Sequence, residues 1–553
     1  MLPIAMLLLL QGAATAATAT PTDSGDPPGR VARLSLLEGN VSFQPSGDTA
    51  ANSWSNATIN YALTSGDRLY ADQGGRAELE VGDATLRLNG VADLTVSTLS
   101  DDFLQVSLAE GTLRVSVYDV SGGDSIEVDT PNGALFLREV GAYRIDVSER
   151  DNSTVVAVDS GLVDVVTGEV AQAVRGGSAL SLSGTEPIRV AAVAFPTPDE
   201  FDRWSAERDR PLGSSESAQY VGRDVPGYDD LDRAGRWETD ADYGPVWYPT
   251  VVVVDWAPYR FGHWVWIDPW GWTWVDDYPW GYAPFHYGRW AYLHSHWGWV
   301  PGPRRRHPCY APALVVFVGV GRVGVQAWLP LGPREPYHPW YHHGPVYRER
   351  VNPEITVVRS RDVHYVNRPQ VTVVPVGAFQ GGEAVGRRVI RVTGAEASGA
   401  LPIAHPRVQP LAREAAGGRP APKPPVVPRP VIQVAPWRRP AVPAPEPRPA
   451  PAPKPAPTAP VRRVPPNVIA RNPPAPQALP FPTRQKAMQP DPGRPLEPQQ
   501  RDNLRAGKPA GPHRDPEEPP DRRPAPTAPP KPQVAPPKQP PPQAPPKKPS
   551  GRP

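Results

Sequence analysis

Residues 77–88 read Ala77-Glu78-Leu79-Glu80-Val81-Gly82-Asp83-Ala84-Thr85-Leu86-Arg87-Leu88. Apolar and polar side chains alternate on both sides of a Gly-Asp pair. A period of two puts Ala77, Leu79 and Val81 on one face of a strand and Glu78 and Glu80 on the other. Gly82-Asp83 supplies the turn. The stretch predicts a β-hairpin with one buried face. The same alternation recurs in Val31-Ala32-Arg33-Leu34-Ser35-Leu36 and in Thr112-Leu113-Arg114-Val115-Ser116-Val117. Turn chemistry punctuates the runs at Glu38-Gly39-Asn40, Ser65-Gly66-Asp67, Pro131-Asn132-Gly133 and Asp159-Ser160-Gly161. No helix-period stretch interrupts them. Residues 30–190 are therefore expected to form an all-β module, a β-sandwich or short β-roll.

The order of these motifs carries a resemblance. Leu37-Glu38-Gly39-Asn40-Val41, Leu63-Thr64-Ser65-Gly66-Asp67-Arg68-Leu69, Gly75-Arg76-Ala77-Glu78-Leu79, Leu108-Ala109-Glu110-Gly111-Thr112 and Val158-Asp159-Ser160-Gly161-Leu162 together resemble the FecR-like domain. In its best-known members this domain is the periplasmic half of a membrane-bound regulator of a sigma factor. The sequence shows neither the cytoplasmic segment nor the transmembrane helix that such signalling needs. The resemblance thus implies a periplasmic β module for protein contact, without the regulator role.

Composition divides the 553 residues further. Of 79 Pro, 50 fall after residue 400. Residues 400–553 are too rich in Pro to build a core and are expected to be a disordered, polyproline-like spacer. Residues 31–200 carry 25 acidic side chains against 10 Arg, whereas residues 401–553 carry 26 Lys and Arg against 9 acids. An acidic head and a basic tail can attract each other, an anionic surface, or other charged partners. The apolar run Ile4 to Leu10, followed by Ala14-Thr15-Ala16 and Ala17-Thr18-Ala19, reads as a signal peptide over residues 1–19. A periplasmic or otherwise exported location follows, soluble or envelope-associated. No transmembrane segment is expected in the mature chain. A single Cys excludes a disulfide framework and a Cys-based zinc site.

Between head and tail lie a linker and a repeat. Residues 195–236 are expected to be a helical linker, with Thr197 as cap, Pro198 at the first helical position, and Phe201 and Trp204 on one docking face. Of 17 Trp, 12 fall in residues 237–299. Gly235-Arg236-Trp237 recurs as Gly262-His263-Trp264 and Gly288-Arg289-Trp290, and each is followed 9 or 10 residues later by Trp247, Trp274 or Trp299. Three copies at a near-constant period are a repeat, and each unit reads as a β-hairpin. Residues 313–318 and 323–328 read as a further hairpin, and residues 371–374 as a last strand. The Trp/Tyr-rich β-repeat domain is placed at residues 237–379. It resembles the uncharacterised Trp-rich region that follows a FecR-like domain in exported bacterial proteins, through Gly244-Pro245-Val246-Trp247-Tyr248-Pro249, His286-Tyr287-Gly288-Arg289-Trp290 and Trp328-Leu329-Pro330-Leu331-Gly332-Pro333.

Two readings compete for the indoles. They could be the core, since Trp buries a large area and pairs well with other rings. They could instead form a stacking platform for carbohydrate or peptidoglycan. Trp237, Trp247, Trp264, Trp274, Trp290 and Trp299 would then meet sugar rings, while Arg260, Arg289, Asp268, Asp276 and Asp277 take the hydroxyls. Other chemistry is thinly supported. His294 and His296, and His342 and His343, lack a third ligand at a diagnostic spacing, so no metal is expected. Cys309 follows Arg304-Arg305-Arg306, but a buried or idle thiol is the default. Asp276 and Asp277 are adjacent and would point apart on a strand, unlike a glycosidase pair. No phosphate loop or nucleophile elbow appears.

The sequence thus predicts a mainly β chain: a FecR-like β module, a Trp-rich hairpin module and a disordered Pro-rich tail. The expected function is that of a non-enzymatic exported envelope protein, a β-rich binding or scaffold module with a spacer tail. Peptidoglycan or carbohydrate binding on the Trp repeats is the alternative. The partner is an envelope protein or a glycan; nucleic acid and cofactors are not expected.

Overall fold

The computed structural model describes residues 25–48, 54–120, 123–168, 171–250, 252–253, 256–305, 307–411, 431–433 and 468–513. The expected signal peptide at residues 1–19 and most of the Pro-rich tail lie outside the described residues. The molecule is mainly β, as the alternation requires.

In the head, strands Arg76–Val81 and Ala84–Leu99 form the expected hairpin, with Gly82 at φ +56 in its turn. Ala84–Leu99 also pairs with Arg68–Ala71 and with Phe103–Val117, so it is the spine of the module. Phe103–Val117 pairs in turn with Gly141–Ser148 and, in parallel, with Ser125–Thr130. Strand Gly141–Ser148 shows the period-two rule plainly: Tyr143, Ile145 and Val147 are buried, and the residues between them are not.

A row of charges crosses the other face. Glu78 stands opposite Arg87, Arg87 opposite Arg114, and Arg114 opposite Arg144. Like charges directly opposite on neighbouring strands repel. The helix Glu200–Ser214 lies over this row and supplies the missing acids. Glu200 pairs with Arg76 at 2.9 Å, Asp202 with Arg144 at 2.7 Å, and Asp209 with Arg87 at 2.6 Å. Asp202 also pairs with Arg114, and Arg208 of the helix with Glu78. The predicted cap is displaced by two residues. Asp199, not Thr197, accepts the Asp202 N–H at 3.0 Å, and the Asp202 carboxylate accepts the Asp199 N–H at 2.9 Å. This reciprocal pair satisfies two free donors at once, which a lone Thr hydroxyl does not. Phe201 is buried and stacks on Trp204 at 5.6 Å.

The Trp-rich module holds three hairpins: Gly235–Asp240 with Gly244–Pro249, Gly262–Ile267 with Gly271–Asp276, and Arg289–Leu293 with His296–Val300. The first and third join through Trp247 opposite Trp299 into a four-stranded sheet. A further sheet pairs Val315–Gly319 with Val325–Pro330, then Thr372–Pro375 and Leu401–Pro402.

The two modules share a seam. Arg33 of the head is fully buried and donates to the Pro279 carbonyl at 2.6 Å. It pairs with Asp230 at 2.7 Å and Glu80 at 3.3 Å. Asn60 donates to the carbonyls of Asp276 at 3.1 Å and Tyr278 at 2.8 Å. One apolar cluster runs through both modules.

Composition predicts a structureless chain from residue 400 on. Residues 401–411 and 468–513 depart from that prediction. Ile469 pairs with Thr130, Trp272 donates to the Val408 carbonyl at 3.1 Å, and helices Phe481–Ala487 and Pro498–Arg505 bury Phe481, Met488 and Leu496 nearby. Pro counts mislead here because Pro sits in the first turn of both helices, where its missing N–H has no partner to lose. The tail meets both modules: Arg484 pairs with Asp268 of the Trp module, and the Glu127 carboxylate of the head accepts the Arg471 backbone N–H at 2.9 Å.

Candidate functional site

The repeat explains itself once the strands are paired. Trp237 faces Trp247, Trp264 faces Trp274, and Trp290 faces Trp299, each directly across its hairpin. The Gly two residues before each first Trp makes room for the partner indole. A Cβ built on Gly235 would sit 2.3 Å from the Trp247 ring. On Gly262 it would sit 2.6 Å from the Trp274 ring, and on Gly288 2.6 Å from the Trp299 ring. The Gly-x-Trp text is therefore a packing device.

The indoles are core. Trp247, Trp264, Trp274 and Trp299 have no exposed surface, and Trp290 has almost none. Trp264 alone touches Trp274, Phe317, Trp328 and Phe379, with centroids 5.3–5.6 Å apart. Trp237 is half-buried, against Tyr220 and Trp299, with its N–H on the Ser217 hydroxyl at 2.9 Å. The ring faces of the five buried indoles are therefore spent on neighbouring rings rather than left open as a platform, while Trp237 keeps part of its surface exposed. Most of the polar groups expected around a sugar are spent as well. Arg260 donates to the Thr372 hydroxyl at 3.1 Å. Asp276 is buried, where it accepts the Trp274 N–H at 3.0 Å and the Tyr278 N–H at 3.0 Å. Burial holds its carboxyl well above the usual range. Asp277 is exposed, and Asp268 takes the Trp266 N–H at 3.1 Å.

Other candidates resolve in the same way. Cys309 is buried, and burial pushes its thiol up to about 12, so the neighbouring arginines do not activate it. His294 and His296 sit at the tip of the third hairpin, where His296 Nδ1 contacts the His294 carbonyl at 2.9 Å. His286 is buried with Nδ1 on the Ala311 carbonyl at 2.8 Å, and burial lowers it to about 3, which keeps the ring neutral. Asp83, Asp124 and His307 place donor atoms within 4.8 Å of one another and could hold a metal ion. Three distant segments assemble this trio, so no spacing in the sequence announces it. Asp124 already pairs with Arg30 at 3.3 Å.

A cleft of about 550 Å³ opens at the surface, walled by the linker around Tyr220–Val225, the third hairpin and the loops at residues 301–305, 307–309 and 333–355. Arg289, Arg304, Arg305, Arg334 and Arg350 line it, against the carboxylates of Asp242 and Glu354. Arg305 reaches Glu354 at 3.7 Å and Arg350 pairs with Asp101. Arg289 donates to the carbonyls of Glu335 at 3.1 Å and Gly288 at 2.8 Å, and to the Asn352 side chain at 3.2 Å. Burial lowers its guanidinium to about 10. Arg304 donates to the Gln219 carbonyl at 3.3 Å and Arg334 to the Asp242 carbonyl at 3.0 Å. Sequence reading singled out Arg289 and the Arg304-Arg305-Arg306 run separately. Nothing in their spacing joined them to Arg334.

The architecture defines a mainly β protein in which a hairpin-repeat module is fused to a β head. Residues 228–335, which contain the three hairpins, match a family of unknown function, DUF6600. No curated protein matches the sequence. Two crystal structures of proteins assigned as anti-sigma factors from Parabacteroides distasonis ATCC 8503 are similar in part. One, at 16% identity and a TM-score of 0.21, covers 23% of this chain, which spans 59% of that protein's length. The other, at 13% identity and a TM-score of 0.22, covers 33% of this chain, which spans 99% of that protein's length. Among the described residues, no helix is long and apolar enough to cross a membrane.

Proposed function

We propose that the chain is a non-enzymatic binding and scaffold protein of the bacterial cell envelope, in which a FecR-like head and a Trp-hairpin module act as one rigid body. The single observation that carries this reading is the cleft. It is an open hollow of about 550 Å³ whose lining carries Arg289, Arg304, Arg305, Arg334 and Arg350 on Pro-rich loops. Ligand sites are usually preformed hollows of this size. The charged groups beside it are held in structural bonds, and the Cys309 thiol next to it is kept protonated. That environment suits holding a ligand better than transforming one. Export rests on the signal-like N-terminus.

The test is cell fractionation of the chain carrying a C-terminal tag, with the mature N-terminus read by mass spectrometry. Cleavage after Ala16 or Ala19, with recovery in the envelope fraction, is expected. An unprocessed cytoplasmic chain would contradict the reading.

A further inference from the structure

We propose that the cleft beside the third hairpin binds a short acidic peptide, of the kind that stems from peptidoglycan, through its carboxylates. The proposal deepens the binding-scaffold reading and rests on it. Three features of the cleft lead there.

The first is unbalanced charge. Among the described residues, Arg289, Arg304 and Arg334 form no ion pair, although all three line one hollow. Guanidinium groups present planar donor forks that match carboxylates two bonds at a time. The second is the position of Arg289. It is only 6% exposed, and its donors are met by carbonyls and an amide rather than by a carboxylate. The Glu335 carboxylate, whose backbone carbonyl Arg289 meets, is committed to the N–H groups of Gly332 and Val366, at 2.6 Å each. A buried cation without an anion in contact is costly. An anionic ligand in the cleft would lower that cost. The third is size. About 550 Å³ accommodates a few residues of extended peptide rather than a folded partner. A short peptide also brings apolar side chains for the walls formed by Tyr287 and Leu314.

The occupant is therefore small, carries more than one carboxylate, and has apolar surface between them. A peptidoglycan stem peptide has this chemistry and shares the expected compartment. A free inorganic anion lacks the apolar part.

The experiment is calorimetric titration of the full mature chain with a synthetic stem tetrapeptide. Its amidated analogue, which lacks the carboxylates, and sodium phosphate are run alongside. The expected result is saturable binding of the tetrapeptide that weakens in high salt and is absent for the amidated analogue. The double variant Arg304→Gln/Arg334→Gln should weaken binding by about tenfold or more. Both side chains are at the surface, so an unchanged thermal midpoint confirms that the variant is folded. No tetrapeptide binding, equal binding of the amidated form, equal binding of phosphate, or binding indifferent to the double variant would each overturn the proposal. Envelope fractionation does not depend on these arginines. A vacant cleft in a correctly exported chain would therefore sink this inference alone.

Discussion

Gly262 shows how much one absent methyl group decides. A Cβ there would lie 2.3 Å from the Val275 carbonyl and 2.6 Å from the Trp274 ring. Gly262→Ala is expected to destabilise the protein by about 1–3 kcal/mol through overpacking. Gly213→Ala, in the last turn of the helix Glu200–Ser214 and with nothing within 4 Å of its added Cβ, should leave the urea midpoint unchanged or slightly raised. Trp264→Ala should cost about 3–5 kcal/mol, because its ring sits among four others. Equal midpoints for Gly262→Ala and Gly213→Ala would contradict the packing account. The repeat was legible in the sequence as text. Its cause was not, because the indole that fills each glycine's gap comes from the opposite strand, several residues further along.

At the scale of elements, the helix Glu200–Ser214 is held by ion pairs over a sheet face that repels itself without it. Burial alone would raise the Glu78 carboxyl, but Arg208 and Arg87 outweigh burial and hold it at about 2. A depressed carboxyl contributes stability above its unfolded pKa, near the ordinary Glu value of about 4.3. That contribution is lost as pH falls through about 2. Urea midpoints measured from neutral pH downwards should therefore drop in this acid window. Glu78→Gln should flatten part of that drop while lowering stability at neutral pH by about 3–5 kcal/mol, because Arg87 is left buried with less countercharge. An acid profile identical in the two proteins would refute this role. The strands of the head were legible from period-two alternation, since one face is apolar throughout. The helix cap was not, because Asp199 and Asp202 cap each other and Thr197 stands outside the pair. The ordered part of the tail was hidden by its Pro content. Its anchors Phe481, Met488 and Leu496 are isolated apolar residues with no period to reveal them.

Across the whole molecule, head and Trp module share one apolar cluster and a seam centred on Arg33. Calorimetry of the full chain should show one unfolding transition for both. Arg33→Ala should lower its midpoint and split the two modules apart. Two well-separated transitions in the unaltered chain would mean that the seam carries little energy. This fusion could not be read from the sequence, where the two modules have different periods and a linker stands between them. The cleft was equally hidden, because its arginines come from separate loops that only the fold brings together.

The buried repeat indoles are core, so a ligand has to bind elsewhere. Acrylamide quenching of tryptophan emission, with and without purified glycan fragments stripped of their stem peptides, is the test. Blue-shifted emission and weak quenching are expected, with no change in either when the fragments are added. Emission that is red-shifted, readily quenched, and then protected by the fragments would show rings open to sugar and contradict the core assignment.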